Sequence, residues 1–105
     1  MKLNIPWHRY ALIVYLAEKM QEKGQRFGKT ALQKLIYLLQ TIYQIPVGYH
    51  FSLYMYGPFC SDLMDDLDYV SCIGGVAVSM EEGSVGYTIS LSSNAELIKD
   101  KGRDF

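Results

Sequence analysis

No lysine or arginine occurs between Leu35 and Ile98, a 64-residue stretch that carries seven acids. Such a stretch is a poor match for a nucleic-acid duplex, because phosphate neutralisation by cations supplies most non-specific affinity. Cysteine is scarce as well. Cys60 and Cys72 stand twelve apart, with no CxxC pair and no nearby histidine to complete a metal set. They read as small hydrophobes in a reducing compartment, and no metal or cofactor is expected. Long apolar runs are missing too. The run from Ala11 to Ala17 falls far short of the roughly 20 residues that a membrane span needs. Between Met1 and Trp7 the chain meets Pro6, with His8 just beyond, where a signal peptide would require apolar residues. The expectation is a cytoplasmic chain without membrane contact.

What the chain does have is apolar content enough for a core. Half of its 105 residues are hydrophobic, which argues against disorder and for a single globular domain over residues 1–105. The net charge of −1 sums a basic first third, net +5 over residues 1–34, the acidic stretch at −7, and +1 at the end.

Periodicity divides the domain. From Trp7 to about Gly24, Tyr10, Ile13, Val14, Ala17 and Met20 recur at helical spacing. Leu12, Tyr15 and Leu16 widen the stripe, so this helix should be covered on more than one side. Thr30 and Gln33 stand at capping-box spacing before a second helix that runs towards Ile45-Pro46. Val47 to Tyr56 alternates as a half-buried strand does, and Gly57-Pro58 breaks it. A third helix from Phe59 to Cys72 shows Leu63, Met64, Leu67 and Val70 on one side, with Asp62, Asp65, Asp66 and Asp68 covering the others. Val76–Met80 and Val85–Leu91 form a hairpin around Glu81 and Glu82, and Ser93 to Glu96 opens a short last helix. The expected fold is α+β and mostly helical, with four helices and a small antiparallel sheet of about three strands. The order is winged-helix-like.

A winged helix raises the prospect of DNA binding, yet fold alone does not decide function. The third helix, in the recognition position, carries four Asp and no cation, and the wing tip carries two Glu. Basic residues gather elsewhere. Lys23, Arg26 and Lys29, around the first connector, are candidate anion-binding residues or a solvated face. The segment Gly24 to Thr30 ends in Gly-Lys-Thr, but its glycine spacing is one residue short of a P-loop and a helix precedes it. Neither His8 nor His50 has a partner at triad spacing, and the aspartates lack the loop spacing of a calcium site. No catalytic residue is assigned, and the chain is read as a non-enzyme.

Aromatics are the remaining signal: Tyr49, Phe51, Tyr54, Tyr56 and Phe59 fall within eleven residues. Tyrosine favours interfaces because it offers a large area and a polar tip. Thr30 to Leu39 (TALQKLIYLL) resembles the LQKLxYLL signature of the SocA-like antitoxin proteins, the Panacea domain, and most closely their YwgA-like relatives. Tyr54 to Phe59 (YMYGPF), followed by Ser61-Asp62-Leu63 and Asp66-Leu67, resembles the same group's YGPxS…L…DL segment, and the resemblance covers about residues 7 to 91. It implies a small prokaryotic, non-catalytic domain that works by protein contact, as an antitoxin or as an adaptor to a protease. Family members commonly add helices after the hairpin, so it also implies a minimal or truncated member.

The reading is a protein-interaction module. Its expected contact residues are Tyr54, Tyr56, Phe59, Asp62, Asp65 and Asp66. Its partner is a basic protein, a toxin or a protease substrate, and a homodimer is an open arrangement. The alternative is a nucleic-acid-binding transcription regulator that uses the basic N-terminal region.

Overall fold

A computed structural model describes residues 5–55, 57–80 and 87–102. Helix α1 spans Trp7–Glu22, α2 Lys29–Thr41, α3 Ser61–Cys72 and α4 Ala95–Gly102. Strands β1, Ser52–Tyr54, and β2, Gly57–Phe59, form one antiparallel pair, and β3, Val76–Met80, and β4, Tyr87–Leu91, form another. The fold is therefore α+β and mostly helical, as expected. The β structure is divided into two separate hairpins in place of one sheet of about three strands.

Helix α1 is the centre of the packing. Tyr10, Ile13, Val14 and Ala17 are buried, with Leu12, Leu16 and Met20 packed beside them. This wide stripe is covered by α3, by α4 and by β4. Removing this much apolar surface from water is the main stabilising term. Glycine ends α1 as its position suggested. Gly24 takes φ +66, and the N–H groups of Gly24 and Gln25 reach back to the carbonyls of Gln21 and Met20. These paired bonds satisfy orphan carbonyls and need a left-handed residue at that place. The same device, with Gly74 and Gly75 bonded to Ser71 and Val70, ends α3.

Helix α2 departs from its expected boundaries. Its N-cap is Gly28, which makes no side-chain cap, and Thr30 lies inside the first turn. Gln33 is buried, and its Oε1 accepts the Cys60 N–H at 2.9 Å, just ahead of α3. The expected capping box is thus replaced by a tertiary tie. The helix also stops at Thr41, well before Pro46, and Gln44 follows with φ 55.

The expected strand over residues 47–56 is shorter and differently paired. Val47 and Tyr49 are buried and His50 is exposed, so alternation holds at first. At Tyr49, however, the partner is a side chain. The Gln40 amide donates to the Tyr49 carbonyl at 2.8 Å and accepts the Tyr49 N–H at 2.9 Å. Gly57-Pro58 does not end the β structure; it returns as β2, with Leu53 opposite Pro58. Proline suits this place because a two-stranded ribbon leaves one edge unpaired.

The β3–β4 hairpin lies where its sequence placed it, with Val78 opposite Ile89 and Val76 opposite Leu91 on the core side. Glu81 and Glu82 fall outside the described residues. Its free edge meets the first connector, where the Ile89 N–H donates to the Phe27 carbonyl at 2.7 Å. Asn94 donates from its amide to the Ile73 carbonyl at 2.8 Å, which ties the start of α4 to the end of α3. No helix among the described residues is long and apolar enough to cross a membrane.

Gly75 sits where α1, α3 and α4 converge. A Cβ there would stand 2.5 Å from Ile98 Cδ1 and 2.7 Å from Val70 Cγ1, both on fully buried side chains. Gly75→Ala is expected to cost about 1–3 kcal/mol through overpacking, read as a lower urea midpoint with unchanged slope. A midpoint equal to wild type would show that this junction is loosely packed.

Candidate functional site

The β1–β2 hairpin is an uncovered apolar part of the described chain, as is the stretch after α2 with Ile42, Tyr43 and Ile45. Leu53 is 69% exposed, Met55 104%, and Tyr54 and Phe59 are also open to solvent. The Tyr54 and Phe59 rings meet edge to face with centroids 6.2 Å apart. This contact holds both rings on one hairpin, a geometry favoured by the aromatic quadrupole. Strand alternation continued from the buried Val47 and Tyr49 would put Leu53 and Met55 on the inner face, so the period alone does not find them. Tyr56 lies outside the described residues.

Two residues after Phe59 the chain enters α3, which turns Asp62, Asp65, Asp68 and Tyr69 to solvent. Leu63, Leu67 and Val70 fill the inner face with no exposure. Asp62 lies in the first turn, where the helix dipole favours a negative charge. An acidic strip therefore continues from the apolar hairpin.

Asp66 does not belong to that strip. It is buried, and one oxygen, Oδ2, serves three donors: Arg9 Nε at 2.9 Å, Arg9 Nη2 at 2.6 Å and the Tyr49 hydroxyl at 2.5 Å. The Arg9 guanidinium also lies 4.6 Å above the Tyr49 ring. Its removal from the contact set has a plain cause. Positions 63, 66, 67 and 70 form one helical stripe, so Asp66 points with the leucines and must be paired there. Burial pushes the Tyr49 phenol well above its ordinary pKa, and its hydrogen bond to Asp66 and that carboxylate's charge push the same way. Burial opposes the Arg9 charge, but the hydrogen bond to Asp66 and the nearby Tyr49 and Asp66 charges leave its pKa above the ordinary value.

The basic residues form a second feature. Arg26, Lys29 and Lys34 line one open cleft of about 430 Å³ with Gly28, Thr30, Ala31 and Tyr87. Lys29 Nζ sits 3.9 Å above the Tyr87 ring, a cation–π contact that places its charge on the cleft wall. A Cβ on Gly28 would lie 2.6 Å from the Tyr87 carbonyl oxygen, so only glycine allows this approach. Of the expected anion-binding residues, Arg26 and Lys29 come together. Lys23, the C-cap of α1, is exposed and lies off the described lining, and Lys34 takes its place. Helical geometry gave the clue: Lys34 follows Thr30 by four residues on the same face.

His8 is exposed on a groove between α1 and α4 lined by Ala11, Leu12, Tyr15 and Lys99, and His50 is exposed on the extended segment. Cys60 is buried and Cys72 exposed, both as free thiols. Among the described residues, no three His, Cys, Asp or Glu side chains are grouped to hold a metal ion. Compared with known protein families, curated proteins and solved structures, the chain matches none.

Asp66→Asn is expected to cost about 3 kcal/mol, because it leaves the Arg9 charge without its counter-ion in a part-buried site. Tyr49→Phe loses one hydrogen bond to a charged acceptor, about 1.5–3 kcal/mol at neutral pH. Its alkaline behaviour gives a second readout. The folded phenol keeps its proton while an unfolded tyrosine ionises near pH 10, so its stabilisation is present below about pH 10 and falls as pH rises beyond it. Urea unfolding of Tyr49→Phe above that pH should show a shallower loss, by up to about 1.4 kcal/mol per unit. Equal slopes in both proteins would place the phenol outside the network.

Proposed function

We propose that this chain is a non-catalytic protein-interaction module, similar in kind to the SocA-like antitoxins and their YwgA-like relatives, that takes a basic protein as partner. The observation that carries this reading is the exposed Leu53-Tyr54-Met55 hairpin set against the outward aspartates of α3. Apolar and aromatic side chains at the centre of a contact supply the affinity, and charge at its rim supplies orientation and association rate. The TALQKL and YGPF segments support the family reading, with an antitoxin-like or protease-adaptor-like role. On this reading β3–β4 stands as the wing of a winged-helix-like layout, in the cytoplasm.

The nucleic-acid alternative draws on the Arg26, Lys29 and Lys34 cleft. Helix α3 counts against a reader of the usual kind, since Asp62, Asp65 and Asp68 would face the phosphates.

The test is co-purification of the chain with a stoichiometric partner from its source cells, followed by affinity measurement on the purified pair. Tyr54→Ala combined with Asp65→Lys is expected to weaken the complex about 30-fold or more, with the folded state checked by circular dichroism. A complex that survives this double change with wild-type affinity would put the contact surface elsewhere.

A further inference from the structure

Gln33 is 4% exposed, yet only half of its amide is used. Its Oε1 accepts the Cys60 N–H at 2.9 Å. That donor fixes the orientation of the group, because only the oxygen end can face an N–H. The other end, Nε2, points away from Cys60 and donates to no described residue. No side-chain polar atom among the described residues is both sealed from solvent and unpartnered. Nε2 therefore opens into the groove that Gln33 lines. A helical side chain leans over the turn that precedes it, which sets this amide above Lys29 and Thr30 of the same lining.

The opposite wall of the groove is apolar, with Pro58 and Phe59 from β2 and Met64 from α3. Its volume of about 190 Å³ lies below the roughly 300 Å³ at which small-molecule sites begin, a size that suits one side chain. Methionine adapts to the shape placed against it. Phe59 also meets Tyr54 edge to face on the exposed hairpin, so the groove opens from the surface proposed for the partner. On that interaction reading, we infer that the groove takes one apolar side chain, of leucine or methionine size, from an extended segment of the partner, whose adjoining backbone carbonyl accepts a hydrogen bond from Gln33 Nε2. A side chain that fills the groove excludes water from Nε2, so an acceptor must arrive with it or the donor is left unsatisfied. An extended segment brings a free carbonyl beside every side chain, whereas a helix spends its carbonyls internally.

The probe is N-acetyl-leucine N-methylamide, a leucine side chain flanked by two carbonyls, titrated into the isotope-labelled full chain and followed by nuclear magnetic resonance. A saturable shift of the Gln33 amide NH2 signal is expected, with a Kd on the order of 1 mM for so small a molecule. N-acetylglycine N-methylamide, which lacks the side chain, should bind about tenfold or more weakly. Gln33→Glu keeps the acceptor for Cys60 and removes the donor, and should weaken binding about fivefold, read on the Thr30 and Met64 backbone signals. Thr30→Trp, at an exposed position, roofs the groove, should abolish binding, and serves if Gln33→Glu folds poorly. Absence of a saturable shift at probe concentrations well above the expected Kd would overturn the inference. So would equal binding of the glycine probe, or wild-type binding by either variant. These failures are separate from failure of the contact surface, which is read on the purified complex, whereas the probe needs no partner.

Discussion

One carboxylate oxygen joins three parts of this chain that lie far apart in sequence. Asp66 Oδ2 receives Arg9 from α1 and the Tyr49 hydroxyl from the extended segment, while Asp66 itself belongs to α3. A buried charge is tolerated only when paired and hydrogen-bonded, so each member requires the other two. Tyr49 is held a second time, through its backbone, by the Gln40 amide. Gln33 then grips the Cys60 N–H on the far side of β1 and β2. The hairpin is thus pinned at both feet while its tip faces solvent. Leu53 and Met55 lie between these anchors and are exposed.

The same network sorts the charges. Arg9 neutralises Asp66 inside, which leaves Asp62, Asp65 and Asp68 as the outward charge of α3. Arg26, Lys29 and Lys34 collect at the other end of α2 from Gln40. A chain with net charge near zero therefore presents one acidic face and one basic cleft, and field strength depends on such local sums and not on the total.

Much of the fold was legible because four helices and one hairpin announce themselves by period, and glycines mark where α1 and α3 end. The rest turned on tertiary partners. Gln33 has the spacing of a cap, yet the helix begins at Lys29 and the amide serves Cys60 instead. Residues 47–51 have the period of a strand, but at Tyr49 a glutamine side chain stands where a neighbouring strand would. No spacing rule reports a partner nine or 27 residues away. Asp66 is the instructive case. Its place in the 63, 66, 67, 70 stripe signalled burial, and its residue type signalled exposure. Geometry prevailed because Arg9 and Tyr49 were there to meet it.

The two surfaces share a boundary. Lys29 and Thr30 line the basic cleft and also a smaller groove of about 190 Å³ with Gln33, Pro58, Phe59 and Met64. The first turn of α2 therefore touches both the basic cleft and the foot of the aromatic hairpin. Changes at Lys29 perturb both surfaces, whereas Arg26 and Lys34 line the cleft and not the described groove. Leu53 and Met55 belong to neither described lining, although Leu53 pairs with Pro58 of the groove. Gln33, one turn further along α2, ties that helix to the start of α3 through the Cys60 N–H. The helix N-terminus that gathers positive charge and the hairpin that displays apolar side chains are held in register by the same buried glutamine.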